Sequence, residues 1–204
     1  MCSPHWGRSS ALDTIGAMSF ENPTTLEKVV FRAEWALYGP LIRPYLRRLG
    51  LRGDETLLEV GCGGGAVTKR LARALPNGRV VSVDPSAYWV EYARGRLAGY
   101  RNVALHVGDV LTENLATDAF DVALFHLVLH EIPSGERPST MSRIHDLLKE
   151  GGTLFLREPT KASHGMSANE VRSLAESVGF REERGETQRA LGVGQTFEAT
   201  FRKV

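Results

Sequence analysis

The feature that most constrains the fold is an alternation of short apolar runs with amphipathic stretches after residue 53. The apolar runs, interpreted as strands, cover residues 56–60, 79–84, 103–107, 120–125 and 153–157. The stretches with helical periodicity are 66–75, 87–98 and 138–149. Neighbouring parallel strands need long connections that pack on the faces of the sheet. The pattern therefore predicts an α/β fold with a doubly wound, mostly parallel sheet.

Both ends of the chain depart from this alternation. Residues 168–178 predict a helix, and the runs 180–183 and 195–203 predict an antiparallel hairpin that completes a seven-stranded, Rossmann-like sheet. Residues 24–52 carry apolar residues at helical spacing, interrupted by prolines, and predict two short helices. We expect one domain over 1–204, with a flexible arm at 1–23, lid helices at 24–52 and the core at 53–204.

Charge and composition limit the possible partners. Lysine and arginine number 25 against 24 aspartates and glutamates, a net charge of +1 that argues against nucleic-acid binding. Two cysteines cannot build a disulfide framework, and no apolar stretch is long enough to span a bilayer. The six histidines are scattered without a zinc-ligand spacing, so no metal is expected. A cytoplasmic protein, monomeric or homodimeric, fits these features.

A glycine-rich segment follows the first predicted strand and opens a helix. Residues 57–66 read Leu-Leu-Glu-Val-Gly-Cys-Gly-Gly-Gly-Ala, in which Gly61, Gly63 and Ala66 satisfy the pattern G-x-G-x-x-G/A. Glycines at these positions let a ligand approach the backbone and the helix N-terminus closely. A tight structural loop would satisfy the same spacing, so the segment alone does not establish a nucleotide site.

Three carboxylates narrow the choice of ligand. Asp84 ends the second strand about 20 residues after the glycines, where it can accept hydrogen bonds from both ribose hydroxyls, although it also makes a good helix start. Asp109 follows the third strand and can accept from an adenine amine. Glu59 would repel a pyrophosphate but attract an ammonium or sulfonium group. These features favour an adenosine cofactor with a cationic end over NAD.

In this order, the motifs of residues 54–204 resemble the class I S-adenosylmethionine-dependent methyltransferases, in particular the small-molecule branch that includes the ubiquinone/menaquinone C-methyltransferases. The resemblance implies S-adenosylmethionine as cofactor and S-adenosylhomocysteine as product. It places Glu59 near the ammonium group, Asp84 at the ribose and Asp109 at the adenine edge. The cofactor-binding residues expected are Tyr38, Glu59, Gly61, Cys62, Gly63, Gly65, Asp84, Pro85, Ser86, Gly108, Asp109, Val110, His126 and Leu127.

Methyl transfer from a sulfonium depends on in-line alignment and water exclusion, and needs a base only when the nucleophile must lose a proton. The acid/base candidates, all near strand carboxyl ends, are His130 first, then Glu131, His126 and the pair Arg157-Glu158. The family often has Leu-His-His where this chain has Leu129-His130-Glu131, so Glu131 stands in place of the second histidine.

The acceptor is expected to be a small, partly apolar molecule, because the connection from residue 158 to 168 leaves no room for an inserted domain. Trp35, Arg157 and Glu158 are the substrate-binding candidates, and Trp35 with Tyr38 would form an aromatic lid facing the cationic donor. The basic cluster Arg43, Arg47, Arg48 and Arg52 predicts either a solvated face or contact with an acidic substrate.

Two other functions agree with parts of the sequence. A nicotinamide-dependent oxidoreductase is supported by the glycine pattern and Asp84 but opposed by Glu59 and Asp109. A protein that binds S-adenosylmethionine without catalysis, as a sensor or partner subunit, would carry the same cofactor motifs. Whether oxygen, nitrogen, sulfur or carbon accepts the methyl group is left open.

Overall fold

A computed structural model describes residues 42–161, 165–190 and 193–204. The helices are α1 (Arg43–Arg48), α2 (Ala66–Ala74), α3 (Ala87–Leu97), α4 (Arg137–Leu147) and α5 (Ala168–Glu176), with a 3₁₀ turn at Leu129–Glu131. The strands are β1 (Thr56–Val60), β2 (Arg79–Asp84), β3 (Val103–Val107), β4 (Phe120–His126), β5 (Leu148–Pro159), β6 (Phe180–Ala190) and β7 (Gly194–Lys203).

The seven strands form one sheet in the order β3-β2-β1-β4-β5-β7-β6. The first five are parallel to one another, and β7 runs antiparallel to both β5 and β6. The strand order reverses between β1 and β4, and in open α/β sheets ligands bind at the carboxyl ends of the strands beside such a reversal. The predicted sheet and its C-terminal hairpin are confirmed, and the carboxyl ends of β1 and β4 locate the candidate site.

The two faces of the sheet bury different helices because successive side chains of a strand point to opposite sides. On one face, α1 and α2 pack with Tyr45 and Leu71 against Leu57, Leu124 and Phe155. On the other face lies a larger cluster that includes residues of α4 and α5. Its members from the helices include Met141, Ile144, Leu147, Val171 and Ala175. We call the face covered by α1 and α2 the α1 face, and the face covered by α4 and α5 the α4 face.

Two elements extend further than the sequence pattern indicated. Strand β5 begins at Leu148, inside the predicted helix 138–149, because Leu148 is extended, fully buried and paired with Phe120. Strand β6 continues to Ala190 through a mostly polar edge that carries no apolar alternation. Of the segment 24–52, the structure describes α1 and the residues from 42 onwards, whereas residues 24–41 lie outside the described residues, so the lid stays a prediction.

Candidate cofactor site and active site

The glycine loop after β1 depends on backbone conformations that favour glycine. Gly61, Gly63 and Gly65 have φ values of +78°, +46° and +73°. The Gly61 N–H donates to the carbonyl of Val83 at 2.8 Å, and a Cβ on Gly61 would lie 2.5 Å from Val128 Cγ2. The loop is therefore held against both β2 and the segment after β4, and a side chain at Gly61 would push them apart.

Asp84 joins this loop to the start of α3. Its Oδ2 accepts from the Gly63 N–H at 2.8 Å, and its Oδ1 accepts from the Ser86 N–H at 2.9 Å. Burial raises the pKa of this carboxyl, and the two backbone hydrogen bonds oppose that rise. The Gly108 N–H donates to the Asp84 carbonyl at 3.0 Å. The loops after β1, β2 and β3 thus meet at one edge, as the sequence predicted.

The hydrogen-bonding groups around Asp84 fit an adenosine ribose. An ionised carboxylate has about four lone-pair sites, and in this structure each oxygen of Asp84 holds one backbone N–H. Acceptor capacity is left for a pair of hydroxyls, while the glycine turn offers a backbone that a ligand can approach closely. These observations support a nucleoside site built from Gly61, Gly63 and Asp84.

Glu59 and Cys62 are more enclosed than the sequence suggested. Glu59 is 1% exposed, and its Oε2 accepts hydrogen bonds from Thr68 Oγ1 and Ser82 Oγ, each at 2.6 Å. Burial, opposed by these hydroxyls and aided by Asp84, raises the pKa of Glu59 to about 7. Burial and the same two carboxylates raise the pKa of the Cys62 thiol well above its ordinary value. The described hydrogen bonds of Glu59 are with Thr68 and Ser82, so its role beside an ammonium group stays a prediction.

The loops after β3 and β4 complete the edge. Asp109 is half-buried and its Oδ1 accepts from the Leu111 N–H at 2.9 Å, while Val110 is buried in the core of the α4 face. Leu127 has a φ of +60°, which is rare for a residue with a side chain. Its N–H donates to the Arg157 carbonyl at 2.8 Å. This turn follows β4 directly and sets the path by which Val128 reaches Gly61.

On the α4 face, Glu158 organises the 3₁₀ turn and His130. Glu158 Oε1 accepts from the N–H groups of Val128 and Leu129 at 3.1 and 2.9 Å, and Oε2 lies 2.6 Å from His130 Nδ1. The other ring nitrogen, Nε2, lies 3.0 Å from Glu131 Oε1. Burial alone would lower the pKa of His130, but the hydrogen bonds to Glu131 and Glu158 outweigh it and raise the pKa to about 9. At pH 7 this imidazole is protonated, and it can accept a proton only after passing its own to a carboxylate.

On the α1 face, His126 has the opposite surroundings. Its ring centroid lies 5.3 Å from that of Tyr45, and Arg157 Cζ lies 4.8 Å from the same Tyr45 ring. Burial, and secondarily the charge of Arg157, lower the pKa of His126 well below its ordinary value of 6.5. Arg157 Nε lies 3.0 Å from Glu198 Oε1, and Arg48 Nη2 lies 2.8 Å from Glu198 Oε2.

The candidate catalytic and substrate-binding residues therefore form two groups on opposite faces of the sheet. His126 and Arg157 are register partners on β4 and β5 and share the α1 face. His130 and Glu131 lie with Glu158 on the α4 face. Arg157 and Glu158 separate because consecutive strand residues point to opposite faces. Trp35 and Tyr38 lie outside the described residues.

Sequence reasoning missed Glu198 and Tyr45 as parts of this edge, and it did not pair Arg48 with a partner. Glu198 comes from β7 and Tyr45 from α1, so their approach to Arg157 depends on long-range pairing. The one sequence feature that could have indicated Glu198 is a carboxylate flanked by Phe197 and Ala199 in an alternating strand. Within the described ranges, no group of three or more histidine, cysteine or acidic side chains could hold a metal ion, and no helix is long and apolar enough to cross a membrane.

Comparisons with known proteins agree with this geometry. Residues 57–152 match a family model described as a methyltransferase domain. An uncharacterized methyltransferase of Mycobacterium bovis is 35% identical over 102 residues, which are 50% of this chain and 49% of that protein. A demethylmenaquinone methyltransferase of Symbiobacterium thermophilum is 27% identical over 145 residues, 69% of this chain and 56% of that protein. The chain spans between a third and just over half the length of such curated relatives.

A solved structure extends the likeness in fold. The TehB-like S-adenosylmethionine-dependent methyltransferase of Corynebacterium glutamicum superposes with a TM-score of 0.68 at 18% identity, covering 89% of this chain and 100% of that one. At this identity the likeness concerns the fold alone.

Proposed function

We propose that this chain acts as a class I S-adenosylmethionine-dependent methyltransferase, the family that it resembles. It transfers a methyl group to a small-molecule acceptor. The reaction takes place in a closed pocket at the carboxyl ends of β1, β2 and β4. The observation that carries the proposal is the hydrogen bond from the Gly63 N–H to Asp84 Oδ2 beside the strand-order reversal. It joins the two motifs that hold an adenosine group in open α/β sheets. S-adenosylmethionine, when bound, supplies an electrophilic methyl group on a sulfonium.

The residues of the edge have distinct proposed tasks. The Gly61–Gly65 loop binds the methionine end by its backbone, Asp84 accepts the ribose hydroxyls, and the 108–110 loop borders the adenine. Pro85 and Ser86 flank the adenine, and the backbone of His126 and Leu127 borders the methionine carboxylate. Glu59 adds negative charge near the ammonium group. These assignments follow the positions of the loops after β1 to β4.

The transfer itself asks the protein for alignment and for exclusion of water. The residues of the loops after β1, β2 and β4 would hold the acceptor in line with the methyl group, and the sulfonium would release that group to the acceptor lone pair while its sulfur kept the electron pair of the broken bond. Where the acceptor must lose a proton, we propose that His130 takes it at Nε2 after Glu131 has accepted the proton already there. Glu158 keeps Nδ1 fixed and so acts as a positioning residue. Trp35 and Tyr38 are proposed to close the pocket.

Calorimetric titration with S-adenosylhomocysteine, S-adenosylmethionine and NAD tests the cofactor assignment. We expect binding of the first two and none of NAD. Asp84→Ala should weaken S-adenosylhomocysteine binding by about 1–3 kcal/mol, because the ribose hydroxyls lose their acceptor. Asp54→Ala, which removes an exposed carboxylate at the loop before β1, is the matched control. Unchanged affinity in Asp84→Ala would remove the ribose assignment, and a preference for NAD would overturn the cofactor.

Formation of S-adenosylhomocysteine from S-adenosylmethionine and an acceptor separates an enzyme from a protein that only binds the cofactor. We expect turnover with at least one small acceptor. Tight cofactor binding without turnover across acceptors with oxygen, nitrogen, sulfur and carbon nucleophiles would support the non-catalytic alternative instead.

A further inference from the structure

Four polar residues, Arg48, His126, Arg157 and Glu198, form a cluster on the α1 face. Among the described residues, the guanidinium of Arg157 does not have acceptors for all of its N–H groups. Arg157 is 5% exposed. Its Nη1 is buried and donates to no acceptor in the described ranges. Buried polar groups are nearly always hydrogen-bonded, because an unmade bond leaves the desolvation of the group uncompensated. Nη1 therefore marks a position at which an oxygen atom of a ligand would be favoured.

Among the described residues, the charges around Arg157 leave an excess of one positive charge. Glu198 lies within 3.0 Å of both Arg157 and Arg48, so one carboxylate faces two guanidinium groups. His126 adds no charge at neutral pH, because burial and Arg157 hold its pKa well below 6.5. Arg184 and Glu186 pair with each other at 2.7 Å and cancel. A single negative charge would balance the cluster, whereas a phosphate dianion would exceed it.

A small cavity beside the cluster does not account for Nη1. It has a volume of about 30 Å³, and its walls include Tyr45, Arg48, Phe155 and Glu198 but not Arg157. The unsatisfied donor of Arg157 therefore belongs to a different part of the cluster from that space.

Arg157 lies near the carboxyl end of β5, beside the carboxyl end of β4 where the candidate site is located. Arg157 pairs in register with His126, the last residue of β4, and its carbonyl accepts the N–H of Leu127. Neighbouring strands lie about 4.8 Å apart. The guanidinium carbon also lies 4.8 Å from the centre of the Tyr45 ring, which belongs to α1. A molecule that contacts Arg157 would thus lie beside the carboxyl end of β4.

We propose that Arg157 binds a carboxylate of the methyl acceptor, so that the acceptors are small monocarboxylic acids, and that Glu198, which Arg157 shares with Arg48, competes with that carboxylate for the guanidinium. A carboxylate supplies one charge and two oxygens in the fork geometry that a guanidinium recognises. The acceptor role of this site rests on the proposed function, whereas anion binding at Arg157 can be measured separately.

The test uses benzoate as probe and benzamide as its uncharged counterpart. The full chain, with and without saturating S-adenosylhomocysteine, is titrated with each compound and followed by NMR. We expect benzoate to bind about tenfold or more tightly than benzamide. Arg157→Met should abolish that preference, whereas Arg79→Met, which removes an exposed arginine at the amino end of β2, should retain it. Equal binding of benzoate and benzamide by the unmodified chain would overturn the inference.

A second variant keeps the test decisive if Arg157→Met folds poorly. Glu198→Gln removes the competing carboxylate while keeping a polar side chain, so benzoate should bind more tightly than in the unmodified chain. Weaker or unchanged benzoate binding in Glu198→Gln contradicts the proposal. Failure of S-adenosylhomocysteine to bind the unmodified chain would overturn the proposed function, and benzoate titration without the cofactor would still decide the anion site.

Discussion

His126 and His130 are four residues apart in the sequence but lie in opposite electrostatic environments. His126 is enclosed on the α1 face with Tyr45 and Arg157. His130 lies on the α4 face between two carboxylates, Glu131 and Glu158. At pH 7 the first is neutral and the second is protonated.

The comparison shows how neighbours, rather than residue type, assign a charge state. Burial lowers the pKa of both imidazoles. Only at His130 do two carboxylates reverse that effect, because hydrogen bonds to an anion favour the charged ring. At the carboxyl end of the sheet, the α4 face is thus suited to holding a proton and the α1 face to holding an anion.

The largest effect is expected from removing the carboxylate that supports His130. Glu158→Ala leaves three backbone N–H groups and a buried imidazolium without their acceptor. We expect the free energy of unfolding to fall by about 3–5 kcal/mol, as for other buried pairs that lose one partner. Urea denaturation measures the change. Glu183→Ala, which breaks the exposed pair with Arg202, should cost no more than about 1 kcal/mol. Equal losses in both variants would contradict the assigned role of Glu158.

The pH dependence of stability should reveal the raised pKa of His130. The imidazole titrates near 6.5 in the unfolded chain and near 9 in the folded one. The folded state binds the extra proton between these values, so this stabilisation is complete below 6.5 and is lost as the pH rises to 9. The loss amounts to about 3 kcal/mol at most.

Comparison with His130→Gln isolates this contribution from other titrating groups. The difference in unfolding free energy between the unmodified chain and His130→Gln should shrink steadily from pH 6.5 to 9. A difference that stays constant over this range would mean that His130 titrates at its ordinary pKa in the folded chain.

The smallest effect is expected at His126. Because burial is the larger cause of its lowered pKa and Arg157 the smaller, Arg157→Met should raise the pKa of His126 but leave it below 6.5. An NMR titration of the imidazole C–H resonances measures this. A return to 6.5 or above would show that Arg157, and not burial, dominates the α1 face.

The fold followed closely from the sequence where strands are fully buried. The predicted bounds of β1 and β2 agree with the observed ones, since a parallel strand covered on both faces is apolar along most of its length. The bounds of β3 also agree, although β3 is a half-buried strand at the edge of the sheet. Strand β6 was underestimated because its edge position permits polar residues such as Glu182 and Thr187 throughout. A sequence shows which residues of a strand are buried, through their apolar character, but it does not show which strands pair with each other.

The site was predictable in its parts that are local in sequence. The glycine loop and Asp84 follow directly from strand ends, and the structure joins them by a hydrogen bond. The separation of His126 from His130 was not predictable, because it depends on the left-handed backbone of Leu127. The Arg157–Glu198 pair depends on the register between β5 and β7, which no local pattern specifies.

That register has a consequence for how reliably the chain folds. Arg157 and Glu158 are adjacent in β5 and face opposite sides. A slip of β5 by one residue would exchange their faces. The carboxylate would then meet Glu198, and the guanidinium would meet the backbone N–H groups of the 3₁₀ turn, so both contacts would change from attraction to repulsion. The charges of Arg157 and Glu158 therefore also disfavour a folded state in which β5 is shifted by one residue.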